Sequence, residues 1–491
     1  MNFIFFALSF FMASSLSAEI PEKLHSKQIS VENGLRSKVL VAGDLPTKVN
    51  ILERMKYYKV PGVSIAVVNN GEMEWAHGYG QVTNEPRAAH VDEHTLFQAG
   101  SISKSITAFG ALLLVQQGKI SLDEDVNPYL KRWKIPENSF TKTAKVTLRR
   151  LLSHTAGTSV HGFPGYSSTA PIPTLIEILE GGKPVANTDP VTVISTPGTE
   201  LKYSGGGTTI VQLLIEDLTG EHFDSWMQNN VLKPLGMLES TFTQPLPLSY
   251  AMHAAYGHHL NGVAIEGKWH TYPEMAAAGL WTTPKDLAQF ILYIQAALKD
   301  EKTTPLKLAY VKEMITRQKI GDKDIDSGLG FFLENEGKDL VFDHGGQDEG
   351  FIARLTGYAF RGQGAVIMMN NDSGWGLMEE ITNSIADTYH WPHFEPIEKT
   401  VIPIDTASLN KYPGHYFKEE EELEISIIDG KLFIDFKNGV GPLLLFPSAK
   451  CLFFIQQHDL TIEFLNCEDK PNSIVVTDPK GVKTLFKRKA S

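Results

Sequence analysis

A serine hydroxyl is a poor nucleophile until a neighbouring base accepts its proton. The stretch FQAGSISKSITAFGALLLVQQG, Phe97–Gly118, sets such a pair at helical spacing: Lys104 follows Ser101 by three residues, so one helical turn stacks the amine beside the hydroxyl. Ile102, Ile106, Phe109, Leu112 and Leu113 recur at the same spacing around Lys104, and Gly118 supplies a stop. The pattern predicts a buried helix. Burial among apolar neighbours favours the neutral amine, the form that takes a proton. Ser101 falls at the helix start, where free N–H groups and the helix dipole favour developing negative charge. Read alone, the same residues also describe an N-capping serine and a surface lysine, because Ser-x-x-Lys recurs by chance in long chains.

The elements that must position this pair are legible on both sides of it. A helical pattern runs from Leu45 to Tyr58, and Ser64–Val68 and Glu72–Tyr79 read as strands joined by the hairpin signal Asn69-Asn70-Gly71. Residues 19–45 show little pattern and are expected to wrap the surface. After the Ser101 helix, Thr147 opens a short helical stretch, TLRRLLSHTAG, that Gly157 stops. Residues 158–198 are rich in Gly, Pro, Ser and Thr with one helix near Pro173–Leu179, and so long an irregular insert is expected to build part of a substrate cleft. Helices follow over Thr208–Leu218, Asp224–Val231 and from Pro284. The segments GLGFFLE, DLVFDHG, GFIARLTGY and GAVIMMN then read as strands, and helical spacing returns over Leu377–Tyr389. This order predicts an α+β fold, an antiparallel sheet flanked by helices with a helical insert lobe, and catalytic groups meeting at the seam.

Beyond Trp391-Pro392 the texture changes. Pro392, Pro396 and Pro403 suggest a linker, and Gly414–Lys418, Leu423–Asp429, Lys431–Phe436, Leu443–Phe446, Leu452–Gln456, Leu460–Leu465, Ser473–Thr477 and Thr484–Lys487 read as short strands. A separate small antiparallel β-barrel or sandwich is expected over residues 405–491, after a catalytic domain at 19–395. Cys451 and Cys467 flank a predicted hairpin that turns near His458 and Asp459, so they are candidates for a disulfide worth on the order of 3 kcal/mol, with two reduced core thiols as the alternative.

The 491 residues carry a formal charge of -12, with 42% hydrophobic and 21% charged side chains, which suits a globular protein and argues against nucleic acid as a partner. Residues 1–18, MNFIFFALSFFMASSLSA, combine an apolar run with small residues and read as an export signal cleaved near Ala18. That run is too short for a stable membrane span, so a periplasmic or secreted location is expected. His253, His258 and His259 cluster in sequence without metal-ligand spacing, and neither metal nor cofactor is expected.

Three motifs in order, Ser101-Ile102-Ser103-Lys104, Tyr203-Ser204-Gly205 and His344-Gly345-Gly346, resemble those of the serine β-lactamase, penicillin-binding protein and esterase superfamily, closest to its class C-like branch. The phrases VPGVSIAVVNNGE, LLSHTAGT, NNVLKPLGMLEST, AAGLWTTPKDLAQF and FDHGGQDEGF extend the likeness over roughly residues 45–392, and the part beginning LNKYPGHYF resembles a lipocalin-like β domain. The resemblance implies that Ser101 forms an acyl-enzyme, that Lys104 orients and helps deprotonate it, and that Tyr203 passes the proton to the leaving group. It further implies an oxyanion hole from the backbone N–H groups of Ser101 and Gln347, with His344 and Gly346 along the substrate edge.

One position departs from the pattern. Gly205 stands where β-lactamases and peptidoglycan peptidases of this branch usually carry an asparagine that donates to the substrate amide. Loss of a positioned donor disfavours efficient antibiotic hydrolysis and shifts the expectation toward small esters or D-amino-acid peptide amides. The rivals are a β-lactamase or D-alanyl-D-alanine carboxypeptidase, and a non-catalytic protein that binds a peptide or cell-wall fragment. The C-terminal domain is expected to cap the cleft, to drive oligomer assembly or to bind a ligand of its own.

Overall fold

Alternation of side chains along Gly62–Asn69 explains why this strand sits at the middle of the molecule. Val63, Ile65 and Val67 enter one hydrophobic core while Ala66 and Val68 enter another on the opposite face. The computed structural model describes residues 22–45, 47–299, 305–372, 374–419, 421–437, 441–479 and 481–489. The segment read as an export signal lies outside the described residues. Among them, no helix is long and apolar enough to cross a membrane.

The central sheet has six antiparallel strands in the order Glu72–Gly80, Gly62–Asn69, Gly364–Met369, Phe351–Tyr358, Val341–Asp348, Phe332–Glu334. On one face lies the helical lobe, with the buried helix Ser103–Gln116 at its centre, joined by Gly205–Thr219 and Pro284–Leu298. The other face is covered by Ile51–Tyr58 and Trp375–Tyr389, through Ile51, Met55, Leu377, Ile381 and Ile385. Arg54 ties these two helices, bonding Glu380 through two nitrogens at 2.6 Å, and Tyr58 also donates to Glu380 at 2.9 Å.

Several expected boundaries move. The first of these two covering helices starts at Ile51 rather than Leu45, because the Asn50 side chain accepts from the Leu52 N–H and caps it there. The helix expected over Asp224–Val231 runs Phe223–Met227 and then widens into a π-type turn at Gln228–Leu232. Residues 22–45 do more than wrap the surface. Glu22–Glu32 is a helix, Val31 and Leu35 are buried against Trp375–Tyr389, and Val39–Val41 pairs in parallel with Ile397–Lys399. Arg36 fixes this arrangement through an ion pair to Asp387 at 2.7 Å. The segment is held by a few buried anchors on distant elements, which leaves almost no periodic signal in its own sequence.

The C-terminal part forms a nine-stranded antiparallel sheet that is nearly closed into a barrel. Its strand order begins with Leu443–Leu444 and ends with Phe446–Ala449, segments adjacent in the chain. The single strand expected over Leu443–Phe446 therefore splits at Leu445. There the chain leaves its partner Lys431–Asp435 for Leu452–Phe454, and Leu445 donates to the Leu432 carbonyl at 2.9 Å. Cys451 and Cys467 are joined as a disulfide, with Cα atoms 5.9 Å apart across the hairpin of Leu452–Phe454 and Thr461–Leu465. The tip of that hairpin docks on the part that precedes the barrel: His458 Nδ1 donates to Glu379 at 2.9 Å, Asp459 pairs with Lys399 at 2.6 Å, and the Val39 N–H donates to Gln456 O at 3.1 Å.

Candidate active site

Ser101 is set by a tight turn rather than by the α-helix itself. Gly100–Ile102 forms one turn of 3-10 helix, and the α-helix begins at Ser103. Gly100 adopts φ +49°, and a side chain there would lie 2.4 Å from the Gln347 nitrogen. On the facing strand, a side chain at Gly346 would lie 1.9 Å from the Ala99 carbonyl and 3.2 Å from the Ser101 nitrogen. Two bare positions thus let the strand edge Val341–Asp348 press against the Ser101 turn, which brings the Ser101 and Gln347 backbone nitrogens to one junction.

Lys104 extends from the first turn of the helix and is 3% exposed. Its Nζ donates to Ser101 Oγ at 2.8 Å and to the Ala277 carbonyl at 2.7 Å, and lies 5.1 Å from the centre of the Tyr203 ring. The Ala277 carbonyl is available because Met275–Ala278 is a single helical turn whose end faces the helix Ser103–Gln116. Ser103 Oγ accepts from the Leu280 N–H at 3.0 Å and pins the same segment in place.

Tyr203 precedes the helix Gly205–Thr219, which Ser204 caps by accepting from the Gly207 N–H at 2.9 Å. The Tyr203 ring is wedged between His154 at 4.3 Å and His161 at 4.9 Å, with Phe332 and His344 beyond. His154 accepts from the Ser204 N–H on Nδ1 at 3.3 Å, so that nitrogen carries no proton. Burial, reinforced by the positive charge of Lys104, holds the His154 imidazole well below its usual range. His344 behaves alike. Its Nδ1 meets the Gly345 carbonyl at 2.6 Å and must be the protonated nitrogen, which leaves Nε2 as a buried acceptor with no partner. Burial first and Lys104 second push its pKa down to about 4, so it is neutral through the physiological range.

These groups line one cleft of about 760 Å³ that gathers Ser101, Lys104, Tyr203, His344, Gly346 and Gln347. His161, Gly162, Phe163 and Pro164 of the irregular insert form the opposite wall. Gly205 stands apart, behind that wall: a side chain at this position would lie 3.0 Å from the Phe163 ring. Its place is therefore filled by an aromatic edge, and an asparagine there would have to displace it. Cys451 and Cys467 lie in the barrel, outside the cleft.

Sequence reasoning missed several residues of the site. His154 sits inside the phrase LLSHTAGT, where a histidine preceding a glycine-stopped turn was the available signal. Asp348, Glu349 and Asp372 line the cleft from its far side. Asp348 is 4% exposed and neither of its oxygens accepts a well-formed hydrogen bond; burial raises its pKa well above the usual carboxylate range, with the Lys104 charge and the Gly100 N–H opposing. Glu274, fully buried one residue before the turn that holds Lys104, also lacks partners for both oxygens, and burial raises its pKa to about 8. A second pocket of about 330 Å³ shares Gln347, Asp372 and Trp375 with the cleft and is closed by Phe436, Leu443, His458 and Leu460 of the barrel.

The arrangement supplies a nucleophile, a buried amine in hydrogen-bond contact with it, a phenol across the cleft and two backbone nitrogens at the reacting corner. Comparisons with known proteins report what the whole chain is similar to. Penicillin-binding protein 4* of Bacillus subtilis is 22% identical over 453 residues, spanning 84% of this chain and 92% of that protein. Protein flp of Staphylococcus aureus strain N315 is 24% identical over 338 residues, 67% of this chain and 64% of that protein. Among solved structures, the octameric penicillin-binding protein homologue from Pyrococcus abyssi superposes with a TM-score of 0.61 at 21% identity, covering 89% of this chain and 98% of that one. The D-alanine carboxypeptidase AmpC from Burkholderia cenocepacia superposes at 0.52 with 20% identity, covering 69% of this chain and 96% of that one. Residues 49–387 match the Beta-lactamase family, and the chain belongs to that family.

Proposed function

We propose that the protein is an exported serine hydrolase that cleaves small esters or peptide-like amides through an acyl-enzyme at Ser101. The observation that carries this reading is the 2.8 Å contact between Lys104 Nζ and Ser101 Oγ, made by a lysine that is buried and faces Tyr203. In this reaction Ser101 Oγ attacks the substrate carbonyl while Lys104 and Tyr203 relay the Ser101 proton to the departing alcohol or amine, so that each relay group ends in the protonation state in which it began. Water then attacks the acyl carbon, releasing the acid and restoring Ser101. The Ser101 and Gln347 N–H groups stabilise the oxyanion in both halves, and His344 Nε2 offers an acceptor along the substrate edge. Phe163 against Gly205 supports ester or amide substrates over β-lactams, because no side-chain donor replaces the missing asparagine.

The apolar run at residues 1–18 supports export, and the barrel, lipocalin-like in sequence, supports a capping role because its residues close the pocket that adjoins the cleft. The octameric relative supports assembly as a further property to examine. Turnover of p-nitrophenyl acetate and of a chromogenic cephalosporin by wild type and Ser101→Ala tests the reading. Ester hydrolysis lost in the variant, with slow or no cephalosporin turnover, is the expected result. Rapid cephalosporin turnover would place the protein with the β-lactamases, and ester hydrolysis that persists in Ser101→Ala would overturn the proposal.

A further inference from the structure

The cleft around Ser101 is chemically lopsided. Its far wall carries Asp348, Glu349 and Asp372, while Lys104 is the sole lysine or arginine among the described residues that line it. Lys104 is already engaged by Ser101 Oγ and the Ala277 carbonyl. A carboxylate-bearing substrate would meet acidic groups and no free cation to receive it.

Two features of that wall point to a ligand of the opposite charge. Glu349 and Asp372 are partly exposed at the rim and lie 3.4 and 3.5 Å from Nδ1 of the half-exposed His259. Independently, Asp348 borders the same cleft, is more than nine-tenths buried and has no hydrogen-bond partner of good geometry for either oxygen. A buried carboxyl left unpaired is destabilising unless a ligand supplies what the fold does not. Phe163, Tyr272 and Trp375 complete the surrounding walls, and aromatic faces attract alkylammonium groups.

We propose that Asp348, Glu349 and Asp372 form a cation subsite, and that the acyl substrates of this protein carry a free ammonium group, as in an amino-acid ester or the N-terminal residue of a peptide amide. This rests on the serine-hydrolase reading and names the substrate class within it. An ammonium brings three N–H donors to Asp348, which lacks a well-formed one, and to the rim acids beside it, whereas N-acylation removes both the charge and most of the donors.

The test is equilibrium binding to the full-length Ser101→Ala protein, which holds the ligand without turning it over. The probes are phenylalanine amide, N-acetyl-phenylalanine amide and 3-phenylpropanoate, the first two in both stereochemical forms. The free amine is expected to bind roughly tenfold tighter than its N-acetyl form, with 3-phenylpropanoate weakest. That ratio is expected to collapse toward one in Glu349→Gln and further in Glu349→Gln/Asp372→Asn, two changes at the partly exposed rim. Equal or tighter binding of the N-acetyl or carboxylate probe, no binding of the free amine, or a preference that survives both variants would overturn the inference. So would a preference that vanishes in EDTA, which would assign the acids and His259, whose ligand atoms lie within 4.8 Å of one another, to a divalent cation instead. Failure of the serine reading shows separately, as absent fluorophosphonate labelling of the wild type.

Discussion

The two sides of the cleft push buried titratable groups toward neutrality by opposite means. On the Tyr203 side, His154 and His344 have lost their extra protons, because burial and the Lys104 charge both disfavour imidazolium. On the Tyr272 side, Glu274 keeps its proton because burial raises its pKa to about 8, and burial shifts Asp348 in the same direction, outweighing the attraction of Lys104. The contrast teaches that Lys104 is the one dehydrated amine around which the site is arranged. The histidine side is complete in itself, with Nδ1 of each imidazole assigned by the backbone. The carboxyl side is unfinished without a ligand.

Removing the amine breaks this contrast most severely. Lys104→Met keeps the volume of the side chain but leaves Ser101 without its base, and ester turnover is expected to fall by roughly 10³-fold, measured as kcat/KM, while the thermal transition persists. Next in size is Glu274→Gln. The folded-state pKa of Glu274 lies near 8 against 4.5 when unfolded, so the native protein holds the proton more tightly through that window. Stability is full below about pH 4.5 and declines as pH rises toward 8, by on the order of 5 kcal/mol. The glutamine variant is expected to melt higher than wild type at pH 8 and to flatten that slope; an unchanged profile would show that Glu274 has a partner in solution.

The histidine side carries the opposite sign and a smaller effect. His344 titrates near 4 in the folded state against 6.5 when unfolded, so its contribution is present above pH 6.5 and is lost as pH falls through 4, about 3 kcal/mol in all. Replacing it in His344→Gln is expected to reduce the acid-side loss in a melting series between pH 4 and 6.5 while lowering ester turnover. If wild-type stability stayed flat across that range, the histidine would have to reach solvent. The least disruptive change is Gly205→Ala, whose methyl group meets the Phe163 edge at 3.0 Å. A shift of about 1–3 kcal/mol in stability is expected, with Phe163→Leu partly relieving it.

The parts of this account that were legible in the sequence are those whose signal is local. Gly414–Lys418 and Ser473–Thr477 fall where alternation and flanking turns put them. The helix from Pro284 begins at the proline, because Thr283 accepts from the Asp286 N–H and caps it. The cleft wall from the irregular insert also lies where its composition suggested. What was hidden depends on chain reversals and distant partners. The helix Glu22–Glu32 is specified by burial of Val31 and Leu35 against residues more than three hundred positions later. The strand split at Leu445 records a change of partner that no window around it reports. Glu349 and Asp372 are distant in sequence, and only their common approach to His259 gathers them on one rim. The turn at Gly100 explains why Ser101 is presented ahead of the α-helix, a detail that the three-residue spacing to Lys104 does not contain.

The most direct test of the central claim is intact-protein mass spectrometry after incubation with a fluorophosphonate, on wild type and Ser101→Ala side by side. The account predicts a single adduct on the wild type and none on the variant. A wild type that stays unmodified, or an adduct that persists in Ser101→Ala, would contradict the assignment of Ser101 as the acylated nucleophile.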